Sequence, residues 1–185
     1  MDGTITVPYL DFSRIKEEIG VGDCDLVEYM GRAPEAERER IRLALARFEE
    51  DGVVNARLNP GARKMLRFLD RRGIHTALLT RNTRKSVDGV CRKLGLKFDV
   101  TISREEAPYK PAPDAIWEIG KRWGLLKKEL LMVGDYKWDL VCARNAGVRS
   151  VLLVNGTGRP EWADEADRVI GRLTELIAVI EGGEL

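Results

Sequence analysis

With 185 residues, 44% of them hydrophobic, the chain can bury one full core and a small insertion, but not two large domains. Thirty-one basic against 30 acidic side chains leave a net charge of +1, which gives no electrostatic footprint for nucleic acid or an anionic membrane surface. A phosphate-bearing small molecule would need only a local positive pocket. Cys24, Cys91 and Cys142 are widely spaced and lack a C-x-x-C, which argues against a disulfide framework and a zinc site and leaves them as small core residues. His75 is the single histidine, so a His-based triad is excluded and the residue reads as structural. No run reaches the roughly 18 apolar residues of a membrane span, and no secretory signal opens the chain. These features predict a cytoplasmic protein, provided that no transit peptide preceded Met1.

After Asp2-Gly3-Thr4, residues 8–57 read as helical throughout. Asp11 caps a helix from Phe12 to about Glu18, with Ile15 and Ile19 on one face and Gly20 at its end. A short helix from Asp25 to Met30 follows. Pro34 then opens a longer helix to about Glu50, with Glu35, Glu37 and Glu39 early and Ile41, Leu45 and Phe48 as its apolar stripe. The charge run from Glu35 to Arg42 is a solvated helix face.

Asn59-Pro60-Gly61 starts a helix through Arg72 whose core face is Met65, Leu66 and Leu69, and Gly73 ends it. A strand from Ile74 to Thr80, a helix from Thr83 to Leu94 and a strand from Phe98 to Ile102 come next. The helix from Asp114 carries Trp117 and Trp123, which read as core or helix packing. Leu130 to Val133 is four apolar residues before Gly134, which suits a strand buried on both faces of a parallel sheet. Ser150 to Val154, an outer strand from Asp167 to Ile170 and an amphipathic helix from Leu173 to Glu181 complete the chain.

Chemistry gathers where these strands end. Asp135, in the turn after the strand, and Asp139, in the first turn of the next helix, can face one point, and two carboxylates at one point ask for a hard cation such as Mg²⁺. An ordinary turn aspartate and a helix cap would leave the same letters. Thr80 leaves an apolar strand with Arg81 and Asn82, either as a cap for the following helix or as a hydroxyl offered to an anion. Lys110, followed by Pro111 and Pro113, is either soluble surface or an ammonium that two prolines aim toward the same edge.

Taken in order, Asp2-Gly3-Thr4, Thr80, Lys110-Pro111-Ala112-Pro113 and Gly134-Asp135-x-x-x-Asp139 resemble the motifs of the haloacid dehalogenase superfamily, in its phosphoglycolate phosphatase-like, metal-using branch. Asp2-Gly3-Thr4 matches the second half of the family's D-x-D-G-T, with Met1 at the x position and no residue at the nucleophile's position. The resemblance implies an α/β fold: a Rossmann-like three-layer arrangement of parallel strands with helices on both faces. The core would be residues 1–7 and 58–185, and residues 8–57 a small helical cap inserted after the first strand.

It implies that Asp2 is the acid/base, that Thr80 and Lys110 neutralise charge on the transferring phosphoryl group, and that Arg81 and Asn82 touch the rest of the substrate. Asp2, through its carbonyl, would hold Mg²⁺ together with Asp135 and Asp139. The activity implied is Mg²⁺-dependent hydrolysis of a small phosphorylated metabolite through an aspartyl phosphate. The incomplete first motif sets the further expectation of a start assigned to an internal methionine, in which case the 185-residue form is inactive. A binding or regulatory protein that lacks the nucleophile is the alternative. A response-regulator receiver shares the acidic pocket but is shorter and has no helical cap. The sequence leaves the oligomeric state and the identity of the substrate open.

Overall fold

The protein was analysed as a computed structural model that describes residues 1–22, 24–106 and 108–183. Three helices come first: α1 (Phe12–Ile19), α2 (Leu26–Arg32) and α3 (Glu35–Asn55). Asp11 caps α1 by accepting hydrogen bonds from the Ser13 and Arg14 amides at 3.0 and 3.1 Å, and Gly20 ends it in the left-handed conformation. Ile15, Ile19, Leu26, Ile41 and Leu45 form the common core of the three helices. The charged face of α3 is solvated as expected, and its Glu-Arg pairs are spaced i,i+3. The helix runs five residues past Glu50 because Val53 packs into the main core, where burial outweighs the helix-weakening Gly52.

The rest of the chain alternates helix and strand. In order come α4 (Ala62–Arg71), β1 (Ala77–Leu79), α5 (Arg84–Leu94), β2 (Val100–Ile102), α6 (Asp114–Trp123), β3 (Leu131–Gly134), α7 (Lys137–Ala146), β4 (Arg149–Leu153), β5 (Arg168–Ile170) and α8 (Glu175–Gly182). All pairings between these strands are parallel. Helices α4, α5 and α8 pack with Leu78, Val151 and Leu153 on one face. Helices α6 and α7 pack with Ala77, Leu79, Val100, Ile102 and Met132 on the other. Alternating strand residues therefore feed opposite layers, and Val151, Leu152 and Leu153 are buried on both sides. Parallel strands with both faces covered by helices make the α/β class and the three layers that the sequence implied.

Two features differ from expectation. β1 is confined to 77–79, because Ile74 is turned back by a bond from its amide to the Leu69 carbonyl at 3.0 Å. The described strands also form two sheets, β1-β2 and β3-β4-β5, rather than one. Between them lies a cavity of about 540 Å³. Trp117, 46% exposed, serves in helix packing as the sequence allowed: its indole N–H donates to the Ala146 carbonyl at 3.1 Å, which ties α6 to α7.

Candidate functional site

The candidate site lies at the carboxyl ends of β1 and β3, where residues 1–6 cross them. This crossing segment is tightly wound. The Thr4, Ile5 and Thr6 amides all point at the Met1 carbonyl, at 3.3, 2.9 and 3.1 Å. The Asn59 side-chain amide donates to the Gly3 and Thr4 carbonyls at 3.2 and 3.0 Å, and Asn155 donates to Gly3 at 2.6 Å. The sequence marked Asn59 only as the start of a helix and did not single out Asn155. Only the positive φ of Asn155, a conformation this residue tolerates, reflects its role, and that is a structural signal.

Gly3 adopts φ +74°, and a Cβ there would lie 1.9 Å from Asp135 Oδ2, so only glycine lets the backbone approach this carboxylate. Thr4 donates its hydroxyl to Asp135 Oδ1 at 2.7 Å. Asp139 lies beside Asp135, in the first turn of α7. Its Oδ2 accepts the Tyr136 amide at 3.1 Å, and its Oδ1 accepts from Lys110 Nζ at 2.5 Å. Asp139 thus closes the first turn of α7 and pairs with the Lys110 ammonium. A Cβ on Gly134 would meet Asp139 at 2.2 Å, so the strand's last residue must also be bare for this carboxylate to fold over it.

Asp2 projects toward β1. Its two oxygens accept from Thr6 Oγ1 at 3.1 Å and from Asn82 Nδ2 at 2.7 Å. The Asn82 amide in turn donates to Thr80 Oγ1 at 3.2 Å, so Thr80, Asn82 and Asp2 form one hydrogen-bonded chain. The cap of α5 is Thr83, whose hydroxyl accepts the Ser86 amide at 3.2 Å, and not Thr80. Helix α5 accordingly begins at Arg84, later than the sequence reading placed it, and Thr80 is left buried at the strand end.

Electrostatics separates the two carboxylates. Burial raises the Asp135 pKa and the charge of Asp139 adds to the rise, against the hydrogen bond from Thr4. Burial acts the same way on Asp139, but the charge and hydrogen bond of Lys110 outweigh it and hold this carboxyl below its ordinary value. Gly3 and Thr4 close on Asp135, Gly134 closes on Asp139, and Lys110 reaches Asp139, so these groups border one small volume. The donors facing this volume are oxygens. Among the described residues no cluster of three or more His, Cys, Asp or Glu stands ready for a metal. A pair of carboxylates suits Mg²⁺, which keeps several waters and is bound through one or two carboxylates plus phosphate oxygens.

Arg81, expected to touch the substrate, pairs with a carboxylate of the helical segment. Its guanidinium forks onto Asp25, just before α2, with Nη1 to Oδ2 at 3.0 Å, and it lies 6.0 Å from the Tyr109 ring centroid. Asp25 Oδ2 also accepts from the indole N–H of Trp138 at 2.8 Å. A second tie is Glu49 of α3, 3% exposed, which accepts from the Thr83 amide at 3.1 Å and from Arg104 Nη1 at 2.6 Å. Neither Asp25 nor Glu49 stood out in the sequence, because each sits in a helix-rich segment dense with ordinary surface charge.

Comparison with known proteins adds an independent line. The profile of a family described as haloacid dehalogenase-like hydrolases matches residues 5–153. A haloacid dehalogenase-like hydrolase domain-containing protein of Arabidopsis thaliana is 32% identical over 173 residues, covering 86% of this chain and 70% of its own. Phosphoglycolate phosphatase 1 of Pseudomonas aeruginosa is 33% identical over 147 residues, which cover 75% of this chain but 54% of that protein, so the chain spans about half the length of that relative. Among solved structures, a hydrolase from Pseudomonas syringae superposes with a TM-score of 0.83 at 19% identity, covering 98% of this chain and 95% of that one. CbbY from Rhodobacter sphaeroides, solved with phosphate, gives 0.72 at 19% identity, covering 95% and 93%. At these identities the structural likeness speaks to the fold.

Proposed function

The chain belongs to the haloacid dehalogenase-like hydrolase family, and from that premise we propose that its site serves Mg²⁺-dependent hydrolysis of a small phosphorylated metabolite. One observation carries the reading. The Thr80-Asn82-Asp2 chain and the Thr4-Asp135 and Lys110-Asp139 pairs gather at the carboxyl ends of β1 and β3, an arrangement of anion donors beside paired carboxylates. The printed name of the Pseudomonas aeruginosa relative supports a phosphate monoester as substrate.

In this reading Asp135 and Asp139, with the Asp2 carbonyl, hold the cation, which supplies charge neutralisation to the phosphoryl oxygens. Lys110 and Thr80 bind the same oxygens, and Asn82 holds the Asp2 carboxyl toward the leaving group. Asp2 then gives a proton to the departing oxygen and takes one from the water that follows. In the family's motif an aspartate attacks phosphorus, forming an O–P bond as the bond to the leaving oxygen breaks. Residues 1–185 contain no match to that aspartate, so the chain as given is proposed not to turn over. Helices α1–α3, residues 8–57, act as the cap over residues 1–7 and 58–185. Asp25-Arg81 and Glu49-Arg104 are the ties that seat it.

Hydrolysis of p-nitrophenyl phosphate and of phosphoglycolate is the test, for the 185-residue chain and for one carrying an apolar strand and an aspartate ahead of Met1. Activity is expected only in the second, lost with EDTA and lowered on the order of 10²-fold or more by Asp2→Asn. Turnover by the 185-residue form that survives Asp2→Asn would refute the assignment. The second reading is a phosphate-binding protein without turnover. It predicts that both forms bind phosphate and neither hydrolyses an ester.

A further inference from the structure

Beside the candidate site, three residues that follow or precede its own members converge on one carboxylate, and that carboxylate comes from the helical segment. Arg81 lies between Thr80 and Asn82, Tyr109 precedes Lys110, and Trp138 precedes Asp139. Consecutive Cα atoms are about 3.8 Å apart, so each of the three adjoins a residue of the candidate site. Both terminal nitrogens of Arg81 donate to Asp25, with Nη1 to Oδ2 at 3.0 Å, and the Trp138 indole N–H donates to the same Oδ2 at 2.8 Å. The Tyr109 ring centroid lies 6.0 Å from the guanidinium and gives it a cation–π neighbour.

The present occupant defines what this place accepts. A planar guanidinium fork matches a flat, singly charged group with two oxygens, and a neutral indole N–H adds direction without further charge. The Arg81 and Asp25 side chains are 21% and 18% exposed, so the pair is largely shielded from water without being sealed off. Asp25 nevertheless does not use all that is offered. Arg81 Nε is buried and has no hydrogen-bond partner among the described residues. A guanidinium carries five N–H donors, and a buried one without an acceptor keeps its desolvation penalty. The start of α2 tethers Asp25, whereas a free carboxylate can settle against the Nε and Nη2 edge and meet that donor as well.

We propose that Arg81, Trp138 and Tyr109 form a receptor for the carboxylate of a small organic acid, and that Asp25 is its tethered stand-in: a bound acid displaces Asp25 and releases this tie on α1–α3. An external acid competes with a carboxylate held close by the chain, so its apparent affinity is lowered by the fraction of time that Asp25 fills the receptor. Exchange of one carboxylate for the other thereby couples the acid to the seating of the helical segment. The proposal rests on these four side chains and holds whether or not the neighbouring site hydrolyses an ester.

The experiment uses the 185-residue chain, glycolate as the probe and uncharged glycolamide as its control. Titration calorimetry gives the affinity, and the Trp138 indole N–H signal in ¹H–¹⁵N spectra, assigned with Trp138→Phe, reports the place of binding. In the parent chain glycolate should shift that signal and speed proteolysis between α1 and α2. Asp25→Ala should bind glycolate at least tenfold more tightly than the parent. Glu50→Gln, which removes an exposed carboxylate of α3 paired with Lys85, should bind as the parent does. Arg81→Lys added to Asp25→Ala keeps the charge, loses the fork and should abolish the gain. Phosphoglycolate held more tightly than glycolate would place the carboxylate on an ester spanning both sites, and equal affinity would place it on a free acid; either supports the receptor.

Inorganic phosphate separates this proposal from the phosphatase reading: a chain that takes glycolate but no phosphate strikes that reading and leaves the receptor standing. The receptor is overturned by an Asp25→Ala chain that binds no better than the parent, by the same gain in Glu50→Gln, by glycolamide bound as well as glycolate, or by binding that leaves the Trp138 signal unmoved. Should Asp25→Ala fail to fold, the parent decides: a Trp138 signal and a proteolysis rate both indifferent to glycolate overturn the proposal.

Discussion

Replacement of Lys110 by methionine isolates a buried ion pair of the candidate site. The Lys110 and Asp139 side chains are 10% and 7% exposed, so the pair sits out of water, and Asp139 keeps only the Tyr136 amide once the ammonium is gone. Removing one partner of a buried pair costs about 3–5 kcal/mol, because the other charge remains uncompensated. Against a total stability of about 5–15 kcal/mol this is a large share. For a chain of this size, with about 2–4 °C lost per kcal/mol, the melting temperature should fall by roughly 6–20 °C.

The pH dependence carries the sign. In the parent chain the folded pKa of Asp139 is lowered. Its contribution is therefore full above the ordinary aspartate value and is lost as pH falls through the folded value. Without Lys110 the burial effect is opposed only by the Tyr136 amide and the Met1 α-amino group, so the folded pKa is expected to be raised. The penalty is then present at neutral pH and fades as pH falls through that raised value. Urea unfolding in EDTA, followed by circular dichroism, should show a gap between parent and Lys110→Met that narrows from about pH 7.5 to about pH 4.5. Adding Asp139→Asn to Lys110→Met should recover most of the loss at neutral pH. A loss under about 1 kcal/mol, or one equal at both pH values, would refute the buried-pair argument.

Other perturbations test the ties and the core. Glu49→Ala leaves the Arg104 guanidinium, 13% exposed, without its carboxylate and should cost about 3 kcal/mol in urea unfolding, with faster amide exchange along α3. Asp25→Asn removes the fork on Arg81 and should cost about 1.5–3 kcal/mol, with faster proteolysis between α1 and α2 as the readout. Cys142, buried and pushed up to about 11, should resist alkylation at about pH 8 in the folded chain while half-buried Cys24 reacts, and it should label at once in denaturant.

Helix ends were legible because their signals are local. Asp11 and Gly20 bracket α1, and the charged and apolar faces of α3 follow from spacing alone. Strand lengths were less legible, since Ile74 has the composition of a strand and is drawn away by the end of α4. The division into two sheets could not be read from any window, because the apolar runs at β1 and β3 describe burial on two faces and say nothing of which edge is paired.

The candidate site shows why chemistry and scaffolding were hard to separate in one dimension. Aspartate at the start of a helix and threonine at the end of a strand each have an ordinary structural explanation, and the sequence offers no way to choose. At Asp139 one oxygen satisfies the Tyr136 amide while the other meets Lys110, so one carboxylate closes the helix turn and carries an ion pair. The capping bond fixes the direction of the carboxylate at little entropic cost, and the ammonium then holds it ionised against its burial. At Thr80 the assignment separates instead. The capping duty passes to Thr83, so the Thr80 hydroxyl is spared for its bond to the Asn82 amide, and the Asn82 side chain carries that order on to Asp2. What the sequence could not supply is this second tier of residues, Asn59, Asn155, Glu49 and Asp25. Their partners lie between 34 and 152 positions away along the chain, and only the closed fold brings them within hydrogen-bonding distance.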